Sequence, residues 1–370
     1  MIDTRRVVPS EGLPPETEPL DSNNNLDVIR HEGRVYLAWR TSADHFAGPE
    51  TTIHVVSSDD EVSWTHETSL AIGTDLREPR FLALGESLFL YVSVLGTDPL
   101  AFEPMGVRVT ERGADGTWSA LEDIGLPGYI AWRTRTERGT PYMLAYLGGE
   151  HIYLFDGLPL SVDFLTTTDG RAWEPVDPAR RTVYMGGGSE ADMALGDDGT
   201  LYGIIRNEPG DASGWGSMVC RAPAGDLANW SCRIDPKKYD SPLMFWYDGE
   251  AYLIGRRNVT ETGHYDLMTG RGSMQAQTGR NQVEYGETPK RCALWRYVQG
   301  EDRIAYLLDL PSGGDTCFPA MIAGEGAGEL VVYDYSADVD DPATPRLTWR
   351  QGQAGRTYVY RHVLRFTPRP

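Results

Sequence analysis

The sequence predicts an all-β protein, a six-bladed β-propeller, and two observations lead to this fold class. Short runs rich in Val, Ile, Tyr, Phe and Leu alternate with Gly, Asp and Asn, and helical periodicity is nearly absent. One hairpin pattern, an apolar strand, a tight turn and an aromatic-rich strand, recurs six times. Its turn glycines lie mostly about fifty residues apart, the spacing of four-stranded blades. They are Gly33, Gly85, Gly149, Gly199, Gly249 and Gly328.

The chain has 370 residues, and we expect residues 1–22 to form a flexible tether and residues 23–370 to form a single propeller domain. Pro, Glu, Ser and Asn without periodicity dominate the chain up to residue 25, which is typical of a tether. Hydrophobic residues make up 40% of the chain, enough for a core. No stretch has the roughly eighteen apolar residues of a membrane span, so we expect no membrane insertion. A closed propeller has few free strand edges, so we expect a monomer.

The charge of the chain excludes one class of partner. The formal net charge is −20 at pH 7, which repels nucleic-acid phosphates and anionic membrane surfaces. We therefore expect no nucleic acid partner, and any acidic ligand would depend on a local cluster of arginines. No P-loop, dinucleotide fingerprint or strong calcium loop is present, so we predict no cofactor and no metal at the site.

The four cysteines bear on the cellular location. Their spacing does not suit a structural zinc site, which uses close pairs of ligands. Cys220 and Cys232 flank a turn-like run, so two alternatives are open: a disulfide across an antiparallel strand pair, or buried reduced thiols. The sequence begins without the apolar region of a signal peptide. The possible disulfide and the tether still favour a secreted, cell-surface or periplasmic protein.

Two segments resemble the Asp-box, whose usual form is S-x-D-x-G-x-x-W. They are SSDDEVSW from Ser57 to Trp64 and TTDGRAW from Thr167 to Trp173. In this motif the Asp side chain bonds turn amides, Gly has a positive φ, and Trp packs between strands. The first copy has Glu61 in place of Gly, and the second is one residue shorter. Such motifs are structural and predict the fold, not the chemistry.

From about residue 23 onward the sequence resembles the sialidase superfamily. In that family three arginines hold the substrate carboxylate, a Tyr paired with a Glu is the nucleophile, and an Asp is the acid/base catalyst. The segment SEADMALGDDGTLYGIIRNE resembles the family segment in which a Glu opens an inner strand and an Arg closes its partner. The resemblance implies these roles for Glu190 and Arg206. A hairpin brings its two ends together, although a surface ion pair is the alternative.

A second segment, GGDTCFPAM, resembles the stretch that carries the nucleophilic Tyr in sialidases, and here Phe318 occupies that position. A phenyl ring has no oxygen that can attack an anomeric carbon. The first arginine of the family triad is also replaced, by the segment NNNLD at residues 23–27. The sequence therefore predicts a relative with a rebuilt pocket, not a standard tyrosine-nucleophile sialidase.

The starts of the inner strands converge at one mouth of a propeller, and this position selects the candidate site residues. Hydrolysis of a glycoside needs two carboxyl groups. The candidate catalytic residues are Glu190 as base or nucleophile, Asp27 as the acid, and Glu78. Asp27 is proposed as the acid because it starts the first blade among Asn residues that could hydrogen-bond a sugar. Since a neighbouring arginine lowers a carboxyl pKa, the acid should be the carboxyl farthest from the arginines. The candidate substrate-binding residues are Arg77, Arg80, Arg133, Arg206, Arg256, Asp240 and Phe318.

The arginine cluster favours a glycan or small sugar as the substrate, because guanidinium groups bind carboxylates and sugar hydroxyls. Our first hypothesis is a glycosidase acting on an anionic or decorated glycan. A non-catalytic carbohydrate-binding propeller and a polysaccharide lyase acting on a uronate are the alternatives. A lyase would use a His or Tyr as base, and His45 and His264 lie on loops that reach towards the pocket. Each is also compatible with an exposed loop histidine.

Overall fold

The computed structural model describes residues 3–263, 270 and 272–366. The chain begins with β1 (Asp3–Val8). Blade 1 comprises β2 (Ser22–His31), β3 (Arg34–Ser42), β4 (Thr52–Ser58) and β5 (Thr65–Leu70). Blade 2 comprises β6 (Asp75–Leu84), β7 (Ser87–Leu95), β8 (Pro104–Arg112) and β9 (Glu122–Pro127). Blade 3 comprises β10 (Ile130–Glu137), β11 (Thr140–Leu147), β12 (Leu160–Thr166), β13 (Glu174–Pro175) and β14 (Thr182–Gly186).

The second half of the chain repeats this arrangement. Blade 4 comprises β15 (Gly188–Leu195), β16 (Leu201–Asn207), β17 (Met218–Ala222) and β18 (Ser231–Ile234). Blade 5 comprises β19 (Asp240–Tyr247), β20 (Glu250–Asn258), β21 (Lys290–Val298) and β22 (Arg303–Asp309). Blade 6 comprises β23 (Ala320–Ala323), β24 (Glu329–Ser336), β25 (Tyr358–Arg365) and the first strand, β1. Among the described residues these six antiparallel sheets form a six-bladed β-propeller, as the sequence predicts.

Two α-helices lie in connections between these strands within the described residues. α1 (Met274–Glu287) begins at Ser273, whose side chain accepts a hydrogen bond from the Ala276 amide. α2 (Trp349–Gln353) begins with a capping box formed by Thr348 and Gln351. Neither helix, nor any other in the described part of the chain, is long and apolar enough to cross a membrane.

The first strand closes the ring, where the sequence analysis expects a tether over residues 1–22. β1 pairs antiparallel with β25, with Thr4 opposite His362, and the Thr4 hydroxyl lies 3.0 Å from His362 Nδ1. Val7 and Val8 are buried. The polar run that favours a tether, residues 9–25, begins only after this strand ends at Val8. The first and last strands therefore share one blade.

Five of the six predicted hairpins match the innermost strand pairs, and the third is wrong. The inner hairpin of blade 3 is β10–β11, with its turn at Arg138 and Gly139. Gly149 lies instead in a 3-10 turn on the connection to β12. The sequence pattern does not reveal β10, because charged and polar residues replace the apolar run that marks the other inner strands. Its Arg133 and Arg135 side chains face buried carboxylates near the channel between the blades.

The two Asp-box-like segments form turns with the same hydrogen bonds. Asp60 accepts the amides of Val62 and Ser63, each at 2.8 Å. Asp169 accepts the amides of Arg171 and Ala172 at the same distance. Trp64 and Trp173, which end the segments, are buried. The turns therefore anchor the outer parts of blades 1 and 3.

Glu61 stands at the usual glycine position of the first turn, with a φ of 58°. Its carboxylate accepts hydrogen bonds from the Tyr333 hydroxyl at 2.6 Å and from Arg361 Nε at 2.7 Å. Both partners lie in blade 6, so this side chain links the first and last blades. The link opposes the cost of left-handed backbone at a residue with a side chain.

We expect Glu61→Gly to lower the free energy of unfolding by about 2–4 kcal/mol, although glycine suits the backbone better. Loss of a buried charged partner of Arg361 costs about 3–5 kcal/mol, and relief of the positive φ returns about 1 kcal/mol. Urea denaturation of the variant beside the wild type measures the difference. A variant as stable as the wild type would show that the link between blades contributes nothing.

The four cysteines form two disulfides. Cys220 and Cys232 face each other directly across the β17–β18 pair and are bonded. This is the disulfide alternative of the sequence analysis. Cys292 on β21 is bonded to Cys317, which precedes β23, so this disulfide joins blades 5 and 6. A long-range link of this kind restricts the unfolded chain.

Candidate active site

Bulges in the inner strands turn polar side chains into a pocket at one mouth of the propeller. The strand register shifts between Asn24 and Leu26 in β2 and between Arg77 and Arg80 in β6. Similar shifts lie between Gly188 and Ala191 in β15 and between Asp240 and Leu243 in β19. A bulge re-aims the side chains at the point of interruption. The residues turned into the pocket are Asn25, Glu78, Glu190 and Ser241.

Three of these four residues have left-handed backbone. Their φ angles are 40° for Asn25, 52° for Glu78 and 51° for Ser241. Such a conformation costs on the order of 1 kcal/mol for a residue with a side chain, and it concentrates at functional sites. Strain at the same point of three blades indicates that the pocket depends on these side-chain directions.

The pocket is small, with a volume of about 100 Å³. Three arginines and three glutamates form its charged lining, and aromatic rings surround them. The lining consists of Asn25, His45, Arg77, Glu78, Phe102, Tyr146, Ile152, Tyr153, Glu190, Arg206, Glu208, Ser241, Arg256, Phe318, Tyr335, Trp349 and Gln353. A concave site with convergent polar groups is the usual form of a small-ligand site.

Glu190 is surrounded by hydrogen-bond donors. Arg206 Nη1 donates to Glu190 Oε1 at 2.6 Å. The amide and the hydroxyl of Ser241 both donate to Glu190 Oε2, at 2.8 and 3.3 Å. Donors of this kind stabilise a carboxylate in its charged form. The bulge at Ser241 supplies two of them, which explains its unusual backbone.

Glu78 lies in the opposite environment. Its carboxyl is largely buried, and Oε2 has no hydrogen-bond donor among the described residues. The nearest cationic atom is Arg80 Nη2, at 3.9 Å from Oε2. Burial, assisted by the negative charge of Glu190, raises the pKa of Glu78 to about 7 against the opposing effect of Arg80. The pocket therefore combines a carboxyl that is half protonated near neutral pH with a second glutamate, Glu190, that is held by three hydrogen-bond donors.

Arg206 is committed to protein carboxylates. Besides Glu190, it contacts Glu208 at 2.7 Å and Asp240 at 3.5 Å. Asp240 is fully buried behind the pocket wall, where it also accepts a hydrogen bond from the Tyr285 hydroxyl at 2.5 Å. The sequence analysis places Asp240 among the substrate-binding residues, but the structure places it behind them, as a support for Arg206.

The other two pocket arginines also have partners. Arg77 pairs with Asp75 at 2.5 Å and donates to the His45 carbonyl at 2.7 Å. Arg256 donates to neutral oxygens, those of the Ser241 and Tyr285 hydroxyls and of two backbone carbonyls. Little of their hydrogen-bonding capacity remains for a substrate carboxylate.

Phe318 packs against a buried arginine. The Arg80 guanidinium lies 4.2 Å from the centre of the Phe318 ring and 5.0 Å from that of Trp132. Arg80 is fully buried, and burial lowers its pKa to about 9, assisted by the charge of Arg133. An aromatic face stabilises such a cation. Arg80 therefore lies behind the pocket and acts on Glu78 and Phe318 instead of reaching a ligand.

The structure separates Asp27 from Glu190. Asp27 and Arg133 line a different cavity of about 410 Å³ in the central channel, and the Asp27 carboxylate accepts the Phe81 amide at 2.7 Å. Burial raises the pKa of Asp27 as well. Asp27 is nevertheless absent from the lining of the pocket that contains Glu190, so the structure does not bring the acid predicted from the sequence together with Glu190. Arg133 likewise does not line the pocket.

His45 lies in the pocket lining, in a more specific setting than an exposed loop. Its Nδ1 is 2.6 Å from Asp315, a fully buried carboxylate. Asp315 also accepts hydrogen bonds from the Tyr335 hydroxyl and from Trp349 Nε1, each at 3.0 Å. His264, the other candidate histidine, lies outside the described residues.

Several lining residues escape the sequence analysis. Glu208 follows Arg206 by two positions, and alternation along the strand was a signal that both face the same side. The capping box T-W-R-Q at Thr348 was a signal for α2, which carries Trp349 into the pocket. Tyr146 and Tyr153 lie in the segment of blade 3 where the predicted hairpin is wrong. The sequence pattern therefore gives no indication that they face the pocket.

Comparison with known proteins identifies the fold. No protein-family model and no curated protein matches the sequence. Among solved structures, an uncharacterised protein from Dyadobacter fermentans matches with a TM-score of 0.62 and 13% identity, over 94% of this chain and 95% of that one. An α-L-arabinofuranosidase from Fusarium graminearum matches with a TM-score of 0.58 and 13% identity, over 93% of both chains. The sialidase of Trypanosoma rangeli matches with a TM-score of 0.59 and 11% identity, over 93% of this chain and 55% of that one.

The chain has the sialidase-like six-bladed propeller fold. It spans about half the length of the trypanosomal sialidase chain, and its fold neighbours include glycoside hydrolases with different substrates. At this level of identity the similarity concerns the fold alone. The chemistry of this propeller has to be argued from its own pocket.

Proposed function

We propose that this propeller is a glycoside hydrolase in which Glu78 is the general acid and Glu190 is the base or nucleophile. One observation carries the proposal: two glutamates line the same small pocket in opposite environments. Glycoside hydrolysis needs such a division between a protonated and an ionised carboxyl group. The bulges in β6 and β15 supply the two glutamates from different blades.

Each glutamate has a defined role in the proposed reaction. Glu78 donates its proton to the glycosidic oxygen as the bond to the anomeric carbon breaks. The Glu190 carboxylate either attacks that carbon or removes a proton from the attacking water. If Glu190 attacks, a covalent glycosyl-enzyme forms, and the water that breaks this bond gives its hydroxyl group to the sugar and its other proton to Glu78. If Glu190 acts as the base, it takes that proton itself, and proton exchange with solvent then returns both glutamates to their starting states. ¹H NMR of the first product formed distinguishes the two roles of Glu190 by the anomeric configuration.

The tyrosines of the pocket support carboxylate chemistry over tyrosyl chemistry. Phe318 has no hydroxyl, and three other rings in the lining carry one. Burial raises the pKa of Tyr146, Tyr153 and Tyr335, and nearby carboxylates raise it further. A phenol with a raised pKa is a poor nucleophile at neutral pH. We therefore assign no tyrosine to bond formation.

The charge pattern favours a neutral sugar over the anionic glycan that the sequence analysis expects. The lining contains as many glutamates as arginines, and Arg77 and Arg206 are paired with protein carboxylates. A substrate carboxylate would have to compete with those partners at a strong desolvation cost. A polyhydroxylated ring instead suits the mixed donors and acceptors of the pocket.

The alternatives are distinguished by particular residues. A uronate lyase is favoured by His45, which Asp315 orients in the manner of an acid–base pair. It would need an arginine to neutralise the uronate, and Arg256 is the lining arginine whose hydrogen bonds go to neutral oxygens. A carbohydrate-binding protein without activity would bind sugar in the same pocket. The different environments of Glu78 and Glu190 would then have no chemical role.

The two disulfides support a secreted or extracellular location, since such bonds persist in oxidising compartments. We keep the monomeric state as part of the proposal. Both are checked by fractionation of the native host and by sedimentation of the purified protein.

The experiment that tests the function is a panel of 4-nitrophenyl glycosides of neutral sugars, beside sialylated and uronate-containing glycans. We expect sugar release from at least one neutral glycoside and none from the acidic substrates. Release of an unsaturated uronate would instead establish a lyase. Binding without turnover across the panel would favour a carbohydrate-binding protein, and hydrolysis of acidic glycans alone would contradict the neutral sugar.

A further inference from the structure

A second cavity opens directly beside the pocket of Glu78 and Glu190. Its volume is about 290 Å³, and it shares part of its wall with the pocket. The shared residues are His45, Arg77, Phe102, Tyr153, Trp349 and Gln353. These shared residues show that the two cavities are direct neighbours. We refer to the second cavity as the apolar groove.

The residues that line only the apolar groove are hydrophobic, and two of them are exposed to solvent. Leu100 is 95% exposed and Phe46 is 44% exposed. Pro99 and Ala101, the chain neighbours of Leu100, also line the groove. The Phe102 and Tyr153 rings meet edge to face at 6.1 Å where the groove joins the pocket. Contiguous exposed apolar surface beside a polar pocket is typical of a ligand-binding groove.

Hydrogen bonds hold the loop that carries Phe46. Arg40, which is fully buried, donates to the Asp44 carbonyl at 3.3 Å and to the Phe46 carbonyl at 2.8 Å. Arg77 donates to the His45 carbonyl between them at 2.7 Å. Arg40 and Arg77 therefore fix three successive carbonyls. A preorganised loop of this kind lowers the entropic cost of binding a ligand.

The loop that carries Leu100 is also structured. Asp98 accepts the Leu100 amide with its side chain at 2.9 Å and the Ala101 amide with its carbonyl at 3.2 Å. The loop ends are joined by a bond from the Gly96 amide to the Glu103 carbonyl at 3.0 Å. The exposure of Leu100 is therefore imposed by a defined turn.

We propose that the apolar groove is a subsite for an alkyl or aryl aglycone attached to the sugar in the pocket of Glu78 and Glu190. This inference rests on the proposed function and specifies its substrate class: a single neutral sugar linked to an apolar group. The adjacency of the two cavities supports this occupant, because the pocket has a volume of only about 100 Å³ and a group bonded to the anomeric carbon has to extend beyond it, where the groove lies. A further sugar would find few hydrogen-bond partners on this wall.

The test is a comparison of hexyl and methyl glycosides of the same neutral sugars, titrated calorimetrically into the Glu190→Gln protein, which retains the pocket without turnover. We expect at least one hexyl glycoside to bind roughly tenfold more tightly than its methyl partner, because the chain buries apolar surface. In Leu100→Asp this preference should disappear while binding of the methyl glycoside is unchanged.

Leu158→Asp is the matched control. Leu158 is also an exposed leucine, and its amide is likewise bonded to the side chain of an aspartate two residues earlier, Asp156, but it does not line the groove. The hexyl preference should survive in this variant. Survival of the preference in Leu100→Asp, equal binding of hexyl and methyl glycosides, or no binding of any hexyl glycoside would each overturn the subsite.

Two further readouts separate the possible failures. A hexyl preference that depends on Leu100 in a protein with no hydrolytic activity would support the groove and refute only the hydrolase. Hydrolysis without any hexyl preference would do the reverse. Sedimentation of the wild type as a dimer, with Leu100→Asp as a monomer, would show that a second copy of the chain covers the groove, and would overturn the proposal.

Discussion

Glu190→Gln should lower kcat/KM on the best glycoside of the panel by on the order of 10⁴-fold. The amide cannot act as a base or nucleophile, but it keeps the volume of the side chain and one acceptor oxygen for Ser241. Arg206 retains Glu208 and Asp240 as partners, so the fold should be preserved. Steady-state rates beside the unfolding midpoint of each protein check both statements.

Glu208→Gln is the control for the loss of charge. Glu208 lines the same pocket and pairs with the same arginine, at 2.7 Å against 2.6 Å for Glu190. It is also hydrogen-bonded to the Ser189 hydroxyl at 3.0 Å. We expect the control to lose about tenfold in kcat/KM or less, the effect of a weakened pairing on a charged group. Equal losses in the two variants would assign the effect to the charge of Arg206 and not to chemistry at Glu190.

The behaviour of Glu190→Gln also separates the three functions. A hydrolase loses turnover, a binding protein loses only affinity, and a lyase that uses His45 keeps most of its rate. In the last case His45→Gln should show the larger loss. Measurement of both variants on the same substrate therefore decides between the two catalytic hypotheses.

The position of the site was predictable because hairpin periodicity shows where each blade begins. Glu78, Glu190, Arg77, Arg206 and Phe318 all line the pocket, as their positions at the ends of inner strands lead one to expect. The sequence does not show where a strand is interrupted by a bulge. That interruption decides which residue of a strand enters the pocket, as the different positions of Asn25 and Asp27 on β2 illustrate.

The sequence gives no reason to prefer the proposed acid, Glu78, over Asp27, because the pKa of a carboxyl depends on its burial. The rule that a nearby arginine spoils a carboxyl acid favours Asp27 over Glu78. In the folded protein Arg80 lies 4.0 Å from Asp27 and 3.9 Å from Glu78, so its charge acts on both groups. Desolvation outweighs it at each carboxyl. Only the three-dimensional arrangement reveals that balance and the shared pocket of Glu78 and Glu190.

Loops limit the prediction of the rest of the site. His45, Tyr153 and Trp349 reach the pocket from connections between blades, where no periodic pattern constrains the chain. The pairing of His45 with Asp315 joins residues 270 positions apart. Such a contact follows from closure of the propeller ring, which also brings β1 beside β25.

Glu78→Gln should lower kcat/KM by about 10²- to 10⁴-fold on alkyl glycosides and far less on glycosides with acidic phenol leaving groups, which need no proton. The pH profile gives a second readout. Since the pKa of Glu78 is about 7, the rate of the wild type should fall above that pH as the acid ionises. The variant should lose this upper limb. Asp27→Asn is the control, and its rate should still fall above pH 7. If instead only Asp27→Asn loses this fall, Asp27 and not Glu78 is the acid.

Glu78→Gln should also raise the stability of the protein relative to the wild type as the pH rises. A carboxyl with a pKa of 4.5 in the unfolded chain and about 7 in the folded chain binds more protons when folded. Its contribution to folding is therefore present at acidic pH and is lost as the pH rises from the lower value to the higher one, by about 3 kcal/mol in total. Glu78→Gln removes this dependence, so its stability relative to the wild type should be greater at pH 8 than at pH 4. Burial also raises the pKa of Asp334 to about 7, but both proteins share that group, and the difference between their urea curves isolates Glu78. An unchanged difference across this range would mean that Glu78 is ionised in the folded protein and does not act as the acid.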